Sequence, residues 1–543
     1  MLTLLLALWL IWEIKFILFW LYLWQLKEYH IGRFVDHFRT HKGKKLLFSF
    51  TQILKLILLF FLFDEGLFLY VFYALFAVYF WDLALFARAV FGKSVKKPVW
   101  TSKTIFLSFV SFLAVFVFVF LISGTKELNQ IVWVLFFDIL TPVIISVIVL
   151  IFQPGFVAIR NKTLLKATEK MKKIRTVSGL KVIAITGSYG KTSTKEFLTT
   201  ILSTKYKVLS TKEHQNSEIG VARAILDDLK PSHEIFIAEV GAYNKGKVKE
   251  VCKMLMPKMG VVTGVNQQHM ALFGSMDNLL SAEGGGELLE SLPEDGTIFV
   301  NGENKYCLEL VKKSNKLPPE REKIYALENE FVNADIWSED VEVFKEYISF
   351  IAKDKKNNLS HFNVKVLGKQ NAENLLGAIL VASELEMSFE EISEAVKHIT
   401  HQQGGMVLKR GKHDIDIIDA SYSSNPDGVI ADLEYLKVFS NKKAIIMPCL
   451  IELGGESGII HEKLGKKIGE VCDLAIITSK DYFKEIKRGF NSHACLPAGR
   501  NKKIVLCEKP HDAYLTITTF LKSGDAVLLE GRVPKKLIDL LSL

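Results

Sequence analysis

Cysteine is scarce and unpatterned in this chain: Cys252, Cys307, Cys449, Cys472, Cys495 and Cys507 are the six among 543 residues. No pair stands at C-x-x-C or another metal-ligand spacing, which excludes a thiolate metal site and a disulfide framework, and the six read as reduced, incidental thiols. Long repeats and low-complexity segments are also absent, so a solenoid is excluded. The first apolar run has no basic leading region and no small-residue cleavage site, and Glu13 and Lys15 interrupt it, so the expectation is a retained anchor, not a cleaved signal. No nucleic-acid motif accompanies the net charge of +9, and nucleic acid is not an expected partner. The stretch N-S-H-A-C-L-P-A-G-R-N at 491–501 reads as an irregular loop without chemistry.

Apolar length is what the chain has in excess. Its hydrophobic fraction is 49% with a mean hydropathy of +0.23, high for a soluble enzyme. The surplus lies in five stretches, roughly 1–25, 46–63, 66–90, 104–122 and 131–152, each close to the ~20 residues that cross a bilayer as a helix. Lysine and arginine crowd the connections 26–45 and 88–103, whereas 64–66 and 123–130 hold only Lys126. The positive-inside rule then predicts a multi-pass membrane protein with the N-terminus outside, five crossings and everything after about 153 in the cytoplasm. The basic run 160–175, R-N-K-T-L-L-K-A-T-E-K-M-K-K-I-R, suits either an anionic membrane lipid surface or a solvated linker. Charges inside the crossings are costly. Glu13 and Lys55 fall near mid-bilayer and are expected to pair, with Asp82 toward the inner side and Asp138 toward the outer; a polar groove for a lipid head group is the alternative.

Residues 183–195, I-A-I-T-G-S-Y-G-K-T-S-T-K, read as a phosphate-binding turn between a strand and a helix. Gly187, Ser188, Tyr189 and Gly190 supply backbone N–H groups to phosphate oxygens, Lys191 reaches the terminal phosphates, and the Thr192 hydroxyl, followed by Ser193, suits magnesium. The common P-loop pattern wants glycine at 185, where this chain has Ile185, so the match is to a shorter variant. Around it, K-V-I-A-I-T, E-I-F-I-A-E-V, M-G-V-V-T-G-V and G-T-I-F-V alternate with helical segments, which predicts a parallel α/β sheet. A second α/β unit begins near Met406, with candidate strands I-D-I-I-D-A, K-K-A-I-I-M-P, D-L-A-I-I-T, K-K-I-V-L and D-A-V-L-L-E.

Further motifs follow in order: H-Q-N-S-E-I-G-V-A at 214–222, A-E-V-G-A at 238–242, N-Q-Q-H-M-A-L-F-G-S at 266–275, V-N-G-E-N at 300–304, G-K-Q-N-A-E-N-L-L-G-A at 368–378 and D-A-S-Y-S-S-N-P at 419–426. With the loop they resemble the Mur ligase family over about 179–543. The last of them, with I-E-L-G-G-E-S at 451–457 and His461, is most similar to the branch that adds D-alanyl-D-alanine to a muramoyl tripeptide. The apolar stretches and charge pattern predict a membrane α-helical bundle of five helices at 1–155 and a basic juxtamembrane linker at 156–178; the resemblance implies a P-loop central Mur ligase domain at 179–403 and a C-terminal Rossmann-like α/β domain at 404–543, and with it a bacterial cytoplasmic (inner) membrane as the location. It implies ATP and Mg2+ as cofactors: a substrate carboxylate attacks the γ-phosphate, and an amine displaces phosphate from the acyl phosphate. Lys191, Glu239 and His269 are the implied catalytic residues; Thr192, Glu239 and His269 the implied metal ligands; Asn301 the implied adenine contact; and Asn216, Ser421, Tyr422 and Asn425 the implied substrate residues, facing a muramoyl-peptide precursor and D-Ala-D-Ala or a similar amino component. Relatives of this branch begin with a soluble domain that cradles a UDP moiety, and the apolar stretches in its place suggest a lipid-linked acceptor.

Three positions depart from the family pattern. Gly285 stands where relatives carry a carbamylated lysine bridging magnesium ions, Gly405 where an arginine reaches the γ-phosphate, and Ala420 where an ATP-site aspartate is expected. Glu283 is no substitute on a continuous helix, because two residues turn the side chain about 200° away. Losing one transition-state donor typically costs ~3 kcal/mol, so three gaps predict a weakened ligase. They support the alternative of a catalytically impaired Mur-like membrane scaffold that binds nucleotide or wall precursor. A ligase of the folylpolyglutamate or cyanophycin type is a third reading, which D-A-S-Y-S-S-N-P disfavours.

Overall fold

The structure, a computed structural model, describes residues 2–542 except 48, 63, 65, 93, 94, 331, 423 and 493–501. Asn491 and Ser492 end the helix Phe483–Ser492, and the rest of the loop expected at 491–501 lies outside the described residues. The chain divides into two compact units, Met1–Asn161 and Lys162–Leu543.

Helices alone build the first unit. Leu2–Leu26, Phe68–Phe91, Ser102–Ile122 and Glu127–Ser178 are long and apolar enough to cross a membrane. The apolar stretch at 46–63, expected as a fifth crossing, forms the 12-residue helix Phe50–Phe61. At 1.5 Å per residue it is about 18 Å long, well short of the ~30 Å hydrocarbon core. Inside the bundle, Lys55 is fully buried and its ammonium lies 2.9 Å from Asp82 Oδ2 and 2.8 Å from Asp138 Oδ2. Tyr79 donates its hydroxyl to Asp138 Oδ2 at 2.8 Å, and Trp12 Nε1 donates to Asp138 Oδ1 at 3.3 Å. The expected Glu13–Lys55 pair is therefore not made: Glu13 Oε1 accepts the Thr141 hydroxyl at 2.5 Å. Depth counted from the ends of apolar runs put the two aspartates on opposite sides, but both meet one ammonium, because a short helix brings Lys55 into register with the middles of its longer neighbours.

The basic segment 160–175 is neither a free linker nor an unattached surface helix. It continues the helix Glu127–Ser178, and Leu164, Ala167, Met171 and Ile174, at alternating spacings of three and four, bury one face in the core of the second unit. Lys170 and Arg175 donate to the carbonyls of Leu226 and Met256, both at 2.8 Å.

The second unit holds two sheets. The first has nine strands in the order β2-β3-β1-β4-β5-β6-β7-β8-β9, with β1 Lys181–Thr186, β2 Val208–Ser210, β3 Ile235–Glu239, β4 Met259–Val262, β5 Thr297–Asn301, β6 Glu322–Ala326, β7 Ile336–Val343, β8 Ile348–Asp354 and β9 Leu359–Val364. Ile183 and Ile185 of β1 pack on one face with the helices Lys191–Leu202 and Gln370–Glu384, while Val182 and Ala184 enter the opposite core. Burial on both faces is why the strand reads as an unbroken apolar run. The expected parallel sheet holds from β2 to β7; β7–β8 and β8–β9 pair antiparallel. The second sheet runs β10-β11-β15-β12-β13-β14, with β10 Val407–Arg410, β11 Asp416–Ala420, β12 Lys443–Met447, β13 Leu474–Ile477, β14 Lys503–Leu506 and β15 Ala526–Glu530. It is parallel except for β10 at its edge.

Candidate functional site

The loop between β1 and the helix Lys191–Leu202 has the backbone a phosphate cradle requires. Gly187 has φ +143°, and a Cβ there would come within 2.3 Å of Thr263 Oγ1; Gly190, at φ +79°, caps the helix N-terminus. The loop is held against the strand after β4: Ser188 N donates to Gly264 O at 2.7 Å, and the Tyr189 ring covers Gly264. Tyr189 accepts from Asn304 Nδ2 at 3.2 Å through its hydroxyl, and burial raises its phenol above the usual range. The Lys191 ammonium folds back onto the carbonyl oxygens of Gly187 and Ser188. The glycine turn, the N-terminus of the helix Lys191–Leu202 and Lys191 thus lie together at the end of β1, the combination an anion site uses.

Carboxylates stand beside this anion site. Glu239, at the end of β3, is 6% exposed; it accepts the Thr192 hydroxyl at 3.0 Å and Asn216 Nδ2 at 3.1 Å, with the fully buried Lys195 ammonium at 3.7 Å. Across the loop, His269 Nδ1 lies 3.2 Å from Glu283 Oε1, and Glu283 Oε2 accepts the Ser188 hydroxyl at 3.2 Å. His269 Nε2 is 3.8 Å from Glu452 Oε2. The buried His461 fixes the turn carrying Glu452: its Nε2 accepts from Leu450 N at 2.9 Å, its Nδ1 lies 2.6 Å from Ser457 O, and burial lowers its pKa. Hydroxyl and carboxylate oxygens beside a phosphate cradle fit magnesium. Among the described residues no three His, Cys, Asp or Glu side chains form a cage that could hold a metal by themselves.

Glu283 corrects the helical argument against it. The helix Met276–Ser281 ends at Ala282, and Gly285 takes φ +88°, so 283 and 285 do not share a helix. Gly285 itself turns into the core, where a Cβ would meet Val262 Cγ2 at 2.5 Å, and no lysine fits there. Glu287 is structural: it accepts the N–H groups of Gly246 and Lys249 at the start of the helix Lys247–Leu255, at 2.5 and 2.9 Å. At Gly405 the nearest atom to a built Cβ is Ser193 Oγ at 3.8 Å.

Ala420 pairs in register with Glu530 of β15, whose carboxyl lies buried beside that of Asp432. Burial pushes Asp432 up to about 7, and burial with its neighbour's charge raises Glu530 well above the carboxylate range. Groups raised above their unfolded values stabilise the fold fully below about pH 4, and this contribution is lost as pH rises through about 7. The melting temperature of the protein is therefore expected to fall between pH 6 and pH 8 in a thermal scan. Glu530→Gln, neutral throughout, should flatten that dependence.

The other residues picked from motifs divide. Asn301 is buried, with Nδ2 donating to Thr263 O at 2.9 Å and Glu373 Oε2 at 3.1 Å, and Oδ1 accepting from Glu303 N at 2.9 Å. Only the second lone pair of Oδ1 remains for a base. Burial pushes the neighbouring Glu373 up to about 7. Ser421 hydrogen-bonds Asp419 at 2.6 Å. Tyr422, 47% exposed, stacks on His214 with centroids 5.6 Å apart. Asn425 caps the helix Pro426–Leu436, and Asn266 Nδ2 donates to Asn425 Oδ1 at 2.8 Å and Asp427 Oδ2 at 3.0 Å, tying the C-terminal sheet to the phosphate side. Motif reading missed the Asn266–Asp427 link and the approach of Glu452; both join segments more than 150 residues apart, and no local pattern signals them.

A phosphate cradle at the head of a central parallel strand, with a second α/β sheet tied against it, defines a two-domain P-loop α/β protein. Residues 185–382 match the Mur ligase middle domain and residues 404–533 the Mur ligase glutamate ligase domain. The chain therefore carries the middle and the glutamate ligase domains of a Mur ligase. Similar curated proteins include the UDP-N-acetylmuramoyl-tripeptide--D-alanyl-D-alanine ligases of Synechocystis sp., 26% identical, and of Borreliella burgdorferi, 30% identical, each aligned over 53% of this chain and 59% of the relative. The chain thus spans about three fifths of the length of these relatives. Among solved structures, MurF from Acinetobacter baumannii superposes with a TM-score of 0.62 at 21% identity, over 70% of this chain and 80% of that one. MurF from Thermotoga maritima in complex with ADP gives 0.58 at 21%, over 70% and 83%. At these identities the likeness is one of fold.

Proposed function

We propose that the protein is an ATP- and magnesium-dependent carbon–nitrogen ligase of MurF type, joining D-Ala-D-Ala or a similar amino component to a muramoyl-peptide precursor. The observation that carries this reading is the contact of Thr192 and Asn216 with Glu239 beside the loop 187–193, with the C-terminal segment bearing Ser421, Tyr422 and Asn425 tied to the central domain by the bond from Asn266 to Asn425. In the reaction the acceptor carboxylate attacks the γ-phosphorus and ADP leaves; the amine then attacks the acyl carbon, the C–N bond forms, and inorganic phosphate departs. The loop N–H groups and Lys191 hold the phosphates in line and take up charge on the oxygens in transit. Magnesium, when bound at Thr192 and Glu239, supplies neutralising charge. Turnover of ATP to ADP that depends on both D-Ala-D-Ala and a muramoyl tripeptide tests the reading; nucleotide binding without such turnover would favour the impaired scaffold that Gly405 and Ala420 suggest.

The N-terminal helices support membrane anchoring as part of the same proposal, with the ligase unit in the cytoplasm and lipid as a partner of the bundle. On this reading the acceptor is lipid-linked. The full-length protein in nanodiscs is expected to use a lipid-linked muramoyl tripeptide at least ~10-fold more efficiently than the UDP-linked one, a difference of about 1.4 kcal/mol in transition-state binding; equal kcat/KM values would refute the lipid preference.

A further inference from the structure

We infer that Glu283 is a divalent-cation ligand of the nucleotide site, a protein carboxylate standing in for the modified lysine whose expected position, Gly285, has no room for a side chain. The inference rests on the ATP reading above. Its first support is electrostatic. Glu283 is 1% exposed, and its carboxylate bonds Ser188 within the loop that cradles phosphate. Among the described residues no lysine or arginine is recorded bonding it; its ion-pair partner is His269. A buried anion aimed at the binding place of a polyanion repels the ligand unless a cation lies between them. Glu239, bonded to the Thr192 hydroxyl, is buried as well but has the Lys195 ammonium 3.7 Å away, so of the two carboxylates beside the loop it is Glu283 that has no lysine or arginine recorded on it among the described residues.

The second support is conformational. Three consecutive glycines, 284–286, follow Glu283, and the left-handed turn at Gly285 (φ +88°) separates the fates of two nearby glutamates. Glu287 points away and caps the helix Lys247–Leu255, while Glu283 points to the loop. His269, itself at φ +68°, aims Nδ1 at Glu283 and Nε2 toward Glu452 of the C-terminal domain. Glu283 and the His269 Nδ1 beside it, next to a phosphate site, are a pair of mixed donors that a cation bridging to phosphate would use, with water and phosphate completing the shell.

Manganese binding, read by electron paramagnetic resonance, tests this on the full-length protein in detergent saturated with a non-hydrolysable ATP analogue. In Glu283→Gln, the weaker class of Mn2+ sites is expected to lose at least ~10–100-fold in affinity, while the affinity for the analogue in the absence of metal rises or stays level. Glu283→Asp keeps the charge and guards against misfolding; it should retain part of the Mn2+ affinity that the Gln variant loses. Mn2+ affinity in Glu283→Gln within about twofold of the parent, with the analogue still bound, would overturn the inference alone and leave a structural His269–Glu283 ion pair. Failure of the unaltered protein to bind the analogue would overturn the ATP reading and this inference together.

Discussion

Lys191→Ala is expected to lower ATP turnover by at least two to three orders of magnitude, the ~3 kcal/mol typical of one preorganised transition-state donor. Lys191 is the first residue of the helix Lys191–Leu202, and its ammonium donates to the loop carbonyls of Gly187 and Ser188. A phosphate oxygen is a stronger partner for an ammonium than a neutral carbonyl. The neighbouring Lys195 cannot substitute, since it is fully buried and bonded to Thr211 O at 2.9 Å. Steady-state ADP release, measured with both substrates present, reads the effect. Activity within tenfold of the parent in Lys191→Ala would remove the loop from the mechanism.

A second large effect is expected far from the nucleotide. Lys55→Met leaves Asp82 and Asp138 facing each other without the ammonium that now lies within 3 Å of both. Removing one partner of a buried ion pair costs about 3–5 kcal/mol, and the expected result is loss of folded protein on extraction into detergent. Lys55→Met combined with Asp82→Asn and Asp138→Asn should recover most of the stability, because a neutral hydrogen-bonded core no longer buries an unpaired charge. Melting temperatures by size-exclusion or intrinsic fluorescence decide it. Double charge reversal at Glu13 and Lys55, the rescue that mid-bilayer depth suggested, is expected to fail, since Glu13 is held by Thr141 and not by Lys55.

The strands β1, β3, β4 and β5 and those of the second sheet other than β10 were legible as short apolar runs, because a parallel strand covered on both faces has no polar alternation to blur it. The meander β7–β9 was not. Ile336–Val343 mixes exposed glutamates with buried positions, and its pairing depends on neighbours brought up by the chain. Within the site, the loop 187–193 was legible for a related reason: glycine dihedrals, helix start and lysine reach are all set within a dozen residues. The direction of Glu283 was not legible in this way, because it depends on where a helix stops, and the helix Met276–Ser281 ends before it.

Local sequence determined by itself the phosphate loop, the apolar helices ahead of it, the succession of β and α segments, and the family those motifs resemble. Each follows from residue preferences acting over a single turn, strand or helix. Tertiary structure alone decided which charges meet: Lys55 with two aspartates from different helices, Asn266 with Asp427, and Glu283 with both Ser188 and His269. An isolated charge in a sequence carries no address. Its partner is chosen by packing that buries it, and only a buried charge must find a counterpart or a cation.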